Sequence, residues 1–203
     1  MSDPRLERAR AALAEAELAA SAAGLAAGAA AAGAASPPDH GDASDEHAAA
    51  RQIVLRQLAA GPRSRAQLES KLAAKEIDPD VAADVLDRFA QVGLVDDEEF
   101  AGMLVRSQQA NRGLSRRGLA HELRKKGIAD DVAADALAEV DASSERARAE
   151  DLVASRLRRL HGLPREVQMR RLAGFLARKG YPGEMSFTVI RQALDNADEH
   201  ARD

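Results

Sequence analysis

The chain has 203 residues, 31% charged and 45% apolar, the balance of a soluble protein rather than a membrane one. Its net charge of −4 excludes a globally basic nucleic-acid binder, so any such contact must come from local patches. With 2% aromatics and no cysteine, a deep ring-lined ligand pocket is disfavoured, and disulfides and thiolate metal sites are excluded.

Residues 1–45 read as a low-complexity tail and linker. Residues 5–20 are good helix formers and predict a transient helix. Arg5, Glu7, Arg8, Arg10, Glu15 and Glu17 interrupt the apolar run that a signal peptide needs. The Ala/Gly tract through Ala35 has almost no large side chain to bury, so it cannot offset its ordering entropy, and disorder is expected. Ala alone drives insertion into lipid weakly, so no membrane span is expected and the compartment reads as cytoplasmic. Ser36-Pro37-Pro38-Asp39-His40-Gly41 is a breaker cluster that closes the tail.

From Glu46 onward the apolar residues take a helical period. Ile53, Leu55 and Leu58 lie near one face before Gly61-Pro62. Ser64 with Gln67 three residues on is a capping box, and Asp78-Pro79 reads as an N-cap followed by a first-turn proline. Strand signals are nearly absent.

The pattern then repeats. Leu68, Leu72, Ile77, Val81 and Val85 recur as Leu119, Leu123, Ile128, Val132 and Ala136, and again as Leu172, Leu176, Tyr181, Met185 and Val189, at offsets of 51 and 53 residues. Before the Ile or Tyr stand Glu76, Gly127 and Gly180. The two glycines suit a left-handed helix end, and Glu76 departs from them. Upstream helices are expected over residues 46–59, 96–109 and 144–160. The fold class is therefore all-α, three tandem three-helix repeats over residues 46–95, 96–142 and 143–203, stacked into an elongated, curved array.

Charge follows the repeat. Residues 51–75 are basic and residues 76–99 acidic, with Arg88 the exception. Arg106, Arg112, Arg116, Arg117, Arg124, Lys125 and Lys126 then precede Asp130, Asp131, Asp135, Glu139 and Asp141. In the third repeat Arg156, Arg158, Arg159, Arg165, Arg170, Arg171, Arg178 and Lys179 precede a milder acidic end. Much of this is helix-end chemistry, since cations at Lys125, Lys126, Arg178 and Lys179 complement a last turn. Arg112, Arg116, Arg117, Arg170 and Arg171 are expected at or near helix starts, where a cation opposes the dipole. An anionic partner accounts for them better. Phe89, Phe100, Phe175 and Phe187 fall on apolar faces and are expected in the core, which leaves no stacking platform for bases.

No enzyme chemistry stands out. His40, His47, His121, His161 and His200 have no metal-ligand spacing, and neither a nucleophile elbow nor a glycine-rich phosphate loop occurs. Asp96-Asp97-Glu98-Glu99 before Phe100 reads as a charged helix start rather than a metal site. No cofactor is expected.

Asp96-Asp97-Glu98-Glu99-Phe100-Ala101, Arg106, Asn111-Arg112-Gly113, Leu119, Glu122-Leu123 and Lys126-Gly127-Ile128 together resemble the central signature of the RecX family. Leu86 and Gly93-Leu94-Val95 resemble its first repeat; Arg171-Leu172, Phe175-Leu176 and Arg178-Lys179-Gly180-Tyr181 resemble its last. The likeness spans residues 46–196. It implies three-helix repeats that lie along the RecA–DNA filament and restrain its growth, ATP hydrolysis, strand exchange and co-protease activity, within DNA repair, recombination and the SOS response. It implies no catalytic residues, a monomer, and RecA with single-stranded DNA as partners. The contact candidates on this chain are Arg106, Arg112, Arg116, Arg117, Arg124, Lys125, Lys126, Arg170, Arg171, Arg178 and Lys179. Two rivals remain at this point. Residues 64–91 with Gly93-Leu94-Val95 resemble a helix-turn-helix regulator with the start of a wing, and the repeats alone suit a helical scaffold.

Overall fold

A computed structural model of the chain describes residues 40–200. The expected tail lies, through residue 39, outside the described residues. The first helix, α1 (His40–Ala59), opens ahead of Glu46. Pro38 is the last proline before it, and Asp45 suits the N-terminal part of a helix, so the helix extends back into the expected linker. It is followed by α2 (Arg65–Ala73), α3 (Pro79–Gln91), α4 (Asp97–Arg112), α5 (Arg116–Lys125) and α6 (Asp130–Ala136). Then come α7 (Ala142–Leu157) with a 3-10 turn at Arg158–Leu160, α8 (Arg165–Arg178) and α9 (Gly183–His200). No strand occurs among the described residues. The all-α, three-by-three organisation read from the repeat is thus present.

Several helix starts carry side-chain caps, and the turn after the middle helix is common to all three modules. Ser64 caps α2 through a capping box with Gln67, and Asp78 accepts from Asp80 and Val81 with Pro79 in the first turn of α3. Asp141 caps α7, and the N–H and hydroxyl donors of Ser144 and Ser143 hold its carboxyl below the usual range. At the far end of every middle helix the chain turns through a left-handed residue: Glu76 (φ 60°), Gly127 (φ 74°) and Gly180 (φ 89°). The N–H of the next residue then reaches back five positions. Ile77 donates to Leu72 O (3.3 Å), Ile128 to Leu123 O (3.1 Å) and Tyr181 to Leu176 O (3.2 Å). This is a Schellman closure, complete with its apolar pair, and it is why the same five apolar positions recur. Glu76 therefore keeps the cap that its side chain called into doubt.

The chain divides into two compact units, with the boundary between Asp97 and Glu98. The first unit is built around Ala50, Val54, Leu68, Leu72, Ala82, Val85, Leu86, Phe89 and Val95. The second holds two cores, one per module. Phe100, Val105, Leu119, Leu123, Ile128 and Leu137 belong to one; Val153, Leu172, Leu176, Tyr181, Val189, Ile190 and Leu194 belong to the other. Phe89 and Phe100 are buried as expected and Phe175 is half-buried against the third core, but Phe187 is 52% exposed. The buried stripe of α9 runs through Ser186, Val189, Ile190 and Leu194, and the helical period carries Phe187 off that stripe.

Within the second unit the two modules meet backbone to backbone. The N–H of Ser115, the N-cap of α5, donates to Lys179 O at the end of α8 (3.0 Å). In the first unit the equivalent N–H, on Ser64, is satisfied within its own module by Gln67 Oε1 (3.3 Å). The residue matching Gln67 is Gly118, which has no side chain to reach back. Around this contact Tyr181 Oη donates to Gly113 O (3.2 Å), Lys179 Nζ donates to Arg112 O, and Arg116 N donates to Glu145 Oε1 (3.0 Å). Burial pushes the Tyr181 hydroxyl up to about 12, with Glu145 adding to the rise and Arg148 opposing it.

Two outcomes follow from these turns. A left-handed non-glycine costs about 1–2 kcal/mol, against roughly 0.4–1 kcal/mol for the extra unfolded freedom of glycine. Glu76→Gly should therefore raise stability by about 0.5–1 kcal/mol, read as a higher urea midpoint at unchanged slope. Tyr181 is the only tyrosine, so tyrosinate absorbance reports it alone. Its midpoint should lie near 12 rather than at the model-peptide value of about 10. Because the folded value is raised, its contribution to stability is complete below about pH 10 and is lost as pH climbs towards 12. A midpoint at 10 in the folded chain would contradict the buried hydroxyl.

Candidate nucleic-acid interface

The eleven cations singled out in the sequence take different places. Arg112 is in the last turn of α4, not at a helix start, and its charge complements that helix end. Its Nη1 donates to Gln108 Oε1 (3.2 Å) and Glu122 Oε1 (3.1 Å). Arg116 and Arg117 do open α5. The Arg116 guanidinium, however, donates to the carbonyls of Leu137 and Val140, so it satisfies the C-terminal carbonyls beyond α6. Arg170 and Arg171 lie within α8 rather than at its start, and both are exposed. Helix-start frustration therefore survives as an account only for Arg117.

Lys179 is half-buried. Its ammonium donates to Arg112 O and sits 5.0 Å from the Phe175 ring centroid, with the Arg156 guanidinium 5.4 Å from the same ring. Desolvation, and secondly the Arg112 charge, hold its pKa below the ordinary lysine value. Arg106 and Arg178 fold back along their own helices. A Cβ built on Gly102 would lie 3.2 Å from Arg106 Nη1, and one on Gly174 would lie 3.4 Å from Arg178 Nη1. Lys125 ends α5 exposed, and Lys126 follows it half-buried.

Four of the eleven converge. Arg112, Arg117 and Arg124 from the second module and Arg178 from the third line one groove of about 440 Å³, with His121 and Glu122 beside them. Glu122 is the one acid in that lining and is already paired with Arg112. Arg106, Lys125, Arg170 and Arg171 stand outside the groove lining. Guanidinium groups present fixed forks of N–H donors, a geometry suited to phosphate or carboxylate oxygens. A larger cavity of about 1050 Å³ between α7 and α9 mixes apolar residues with Glu150, Arg158, His161, Gln168 and Gln192, and gathers no comparable set of one charge. Among the described residues no group of three or more His, Asp and Glu is placed to hold a metal ion. No described helix is long and apolar enough to cross a membrane.

Of the residues that hold the groove together, Gly113, Glu122 and Tyr181 stand in the sequence only as parts of the repeat and of the family-like motifs, and Ser115 and Gly118 stand in neither. Gly113, Ser115, Gly118 and Tyr181 make the inter-module contact, and Glu122 orients Arg112. A signal did exist for one of them. A glycine in the first turn of a short helix gives up about 1 kcal/mol against alanine, which marks Gly118 as a position where packing, not propensity, chose the residue.

Comparison with known proteins matches three family models in order: the RecX first three-helix domain over residues 50–89, the second over 96–137 and the third over 144–194. The regulatory protein RecX of Mycolicibacterium smegmatis is 45% identical over 172 residues, covering 81% of this chain and 92% of that protein. That of Streptomyces coelicolor is 47% identical over 150 residues, 74% and 80% of the two chains. The crystal structure of RecX from Lactobacillus salivarius superposes with a TM-score of 0.65 at 21% identity over 74% of this chain and 97% of its own, which shows the shared fold. With the models spanning most of the described residues in the order of its three modules, this chain belongs to the RecX family of regulatory proteins.

Proposed function

We propose that this protein is a non-catalytic, cytoplasmic regulator that binds the RecA–single-stranded-DNA filament as a monomer and restrains its extension, ATP hydrolysis and strand exchange, and so acts in recombination, repair and the SOS response. The observation that carries the reading is the convergence of Arg112, Arg117, Arg124 and Arg178 on one groove in a chain whose net charge is negative. Overall repulsion from nucleic acid would be weak and screened beyond about 10 Å at 0.1 M salt. A local cluster of guanidinium groups is what short-range phosphate contact requires. Family membership supplies the regulatory class; the groove supports the anionic partner.

The other cations take supporting roles in this reading. Arg106, Lys125, Lys126, Arg170 and Arg171 extend the positive field beside the groove. Arg116, whose side chain donates to Leu137 O and Val140 O, braces the second module, and Lys179, which donates to Arg112 O, ties the third module to it; both contribute charge without facing the ligand alone. Regulation then needs no bond-making chemistry. The protein occupies filament surface and bridges it electrostatically, so the substoichiometric effect of a blocking ligand is its expected signature.

The test is single-strand-dependent ATP hydrolysis by the cognate RecA, titrated with this protein below one copy per recombinase. Inhibition well below equimolar ratio is expected. The triple variant Arg117→Glu, Arg124→Glu, Arg178→Glu should need at least tenfold more protein for the same inhibition, with circular dichroism unchanged. Full activity of RecA at equimolar wild-type protein would overturn the filament reading.

A further inference from the structure

We infer that Gly118 and Gly180 are positioning residues for anion binding, and that the groove is a composite site for a phosphodiester backbone, present only while the second and third modules are docked through these two glycines. The inference rests on the reading that the four-arginine groove takes a polyanion, and adds how the chain builds it and which polyanion it fits.

The contact leaves room for glycine alone. A Cβ on Gly118 would stand 2.4 Å from Lys179 O, and one on Gly180 would stand 2.7 Å from both Gly118 N and Ser115 Oγ. Gly118 meets backbone directly, and Gly180 meets backbone together with the short, buried, capping Ser115 side chain, so a rotamer change cannot relieve either clash. Gly180 also sits at φ 89°, where a side chain is strained in any case. The repeat adds a second observation. Where the first unit has Gln67 closing its own capping box, this module has Gly118 and takes the missing acceptor from Lys179 O. The N-cap N–H of α5 is thus satisfied by the C-terminal end of α8, with the positive end of one helix dipole against the negative end of the other.

This arrangement decides how an anion is held. The docked carbonyl takes up one of the first N–H groups of α5, so binding falls to side chains. Docking brings Arg178, from the third module, to Arg112, Arg117 and Arg124 of the second. It also fixes the turn that carries Arg112, because Lys179 Nζ and Tyr181 Oη fasten the carbonyls of Arg112 and Gly113. The class of ligand follows from the lining. Its cations are all arginine, and its one Phe, Tyr or Trp ring, Tyr181, is buried. Guanidinium forks without a stacking platform suit the repeated phosphates of a single strand rather than its bases, so binding should be indifferent to sequence.

The experiment uses the full chain and fluorescein-labelled oligo(dT), with affinity measured across a series of salt concentrations. Gly118→Gln restores the capping box seen in the first unit, so α5 keeps a local cap while docking is blocked. Three results are expected of it: helicity close to wild type, a Tyr181 tyrosinate midpoint falling from about 12 towards 10, and oligo(dT) affinity reduced at least tenfold with a shallower salt slope. Arg178→Gln, on the exposed face, should leave the Tyr181 midpoint in place and lower the slope by about 0.7, the loss of one phosphate contact on a single strand. Unchanged affinity and slope in Gly118→Gln once the Tyr181 midpoint has fallen would overturn the composite site. An unmoved midpoint would overturn the positioning role of Gly118. Wild-type protein that inhibits RecA hydrolysis yet fails to bind oligo(dT) at low salt would assign the groove to an acidic protein surface, overturning the phosphodiester assignment while leaving the regulatory reading intact. Failure to inhibit RecA at all would instead remove that reading itself.

Discussion

The geometry of the second unit depends on one hydrogen bond, from the N–H of Ser115 to the carbonyl of Lys179, made where two helices meet end to end. A helix end is rich in unsatisfied backbone groups, and four N–H groups at one end and four carbonyls at the other must find partners. Two modules that dock these ends on each other satisfy some of both sets at once. The condition is close approach, which Gly118 and Gly180 supply by lacking a Cβ. Tyr181 and Lys179 then find acceptors on Gly113 and Arg112, and the four groove arginines take their places around the seam.

Charge in this protein is local. The acidic excess is spread over first turns and the third helix of each module, where it complements helix dipoles and keeps the surface soluble. The basic residues divide into those that serve the fold and those gathered in the groove. Arg116 spends its donors on Leu137 and Val140, and Arg65 pairs with Asp87 (2.7 Å) and Glu69 (2.9 Å). Arg117, Arg124 and Arg178 instead share a groove with Arg112. The same residue type at equivalent helix starts thus serves different ends, according to which carbonyls or carboxylates lie within reach.

The first and second modules also show how a repeat diverges without losing its fold. Ser64 and Ser115 are both buried N-caps, but one is closed by its own module and the other by its neighbour. Glu76, Gly127 and Gly180 make one backbone shape from different residues, since the Schellman hydrogen bonds and the apolar pair stabilise the turn enough to hold a glutamate at φ 60°. In Gly180 the same position gained a second duty, because only glycine admits the approach of Gly118.

What the sequence determined by itself was the periodic part of the structure. Apolar residues at Leu68, Leu72 and Ile77 and their two recurrences, with Ser64, Asp78-Pro79 and the left-handed positions between them, dictate helices, their ends and their buried faces, because these depend on neighbours a few residues away. The same locality made the resemblance to RecX legible, since its motifs are short and lie in order. It misplaced what depends on the exact phase and bounds of a helix, putting Phe187 in the core and Arg112, Arg170 and Arg171 at or near helix starts. Only the tertiary structure decided which cations share a groove and which are already occupied. Arg112 and Arg178 are 66 residues apart in the chain, and they meet because a carbonyl and an N–H on two separate modules come within 3.0 Å. No local pattern encodes that distance; it is set by the absence of two Cβ atoms at a seam that exists only after both modules have folded.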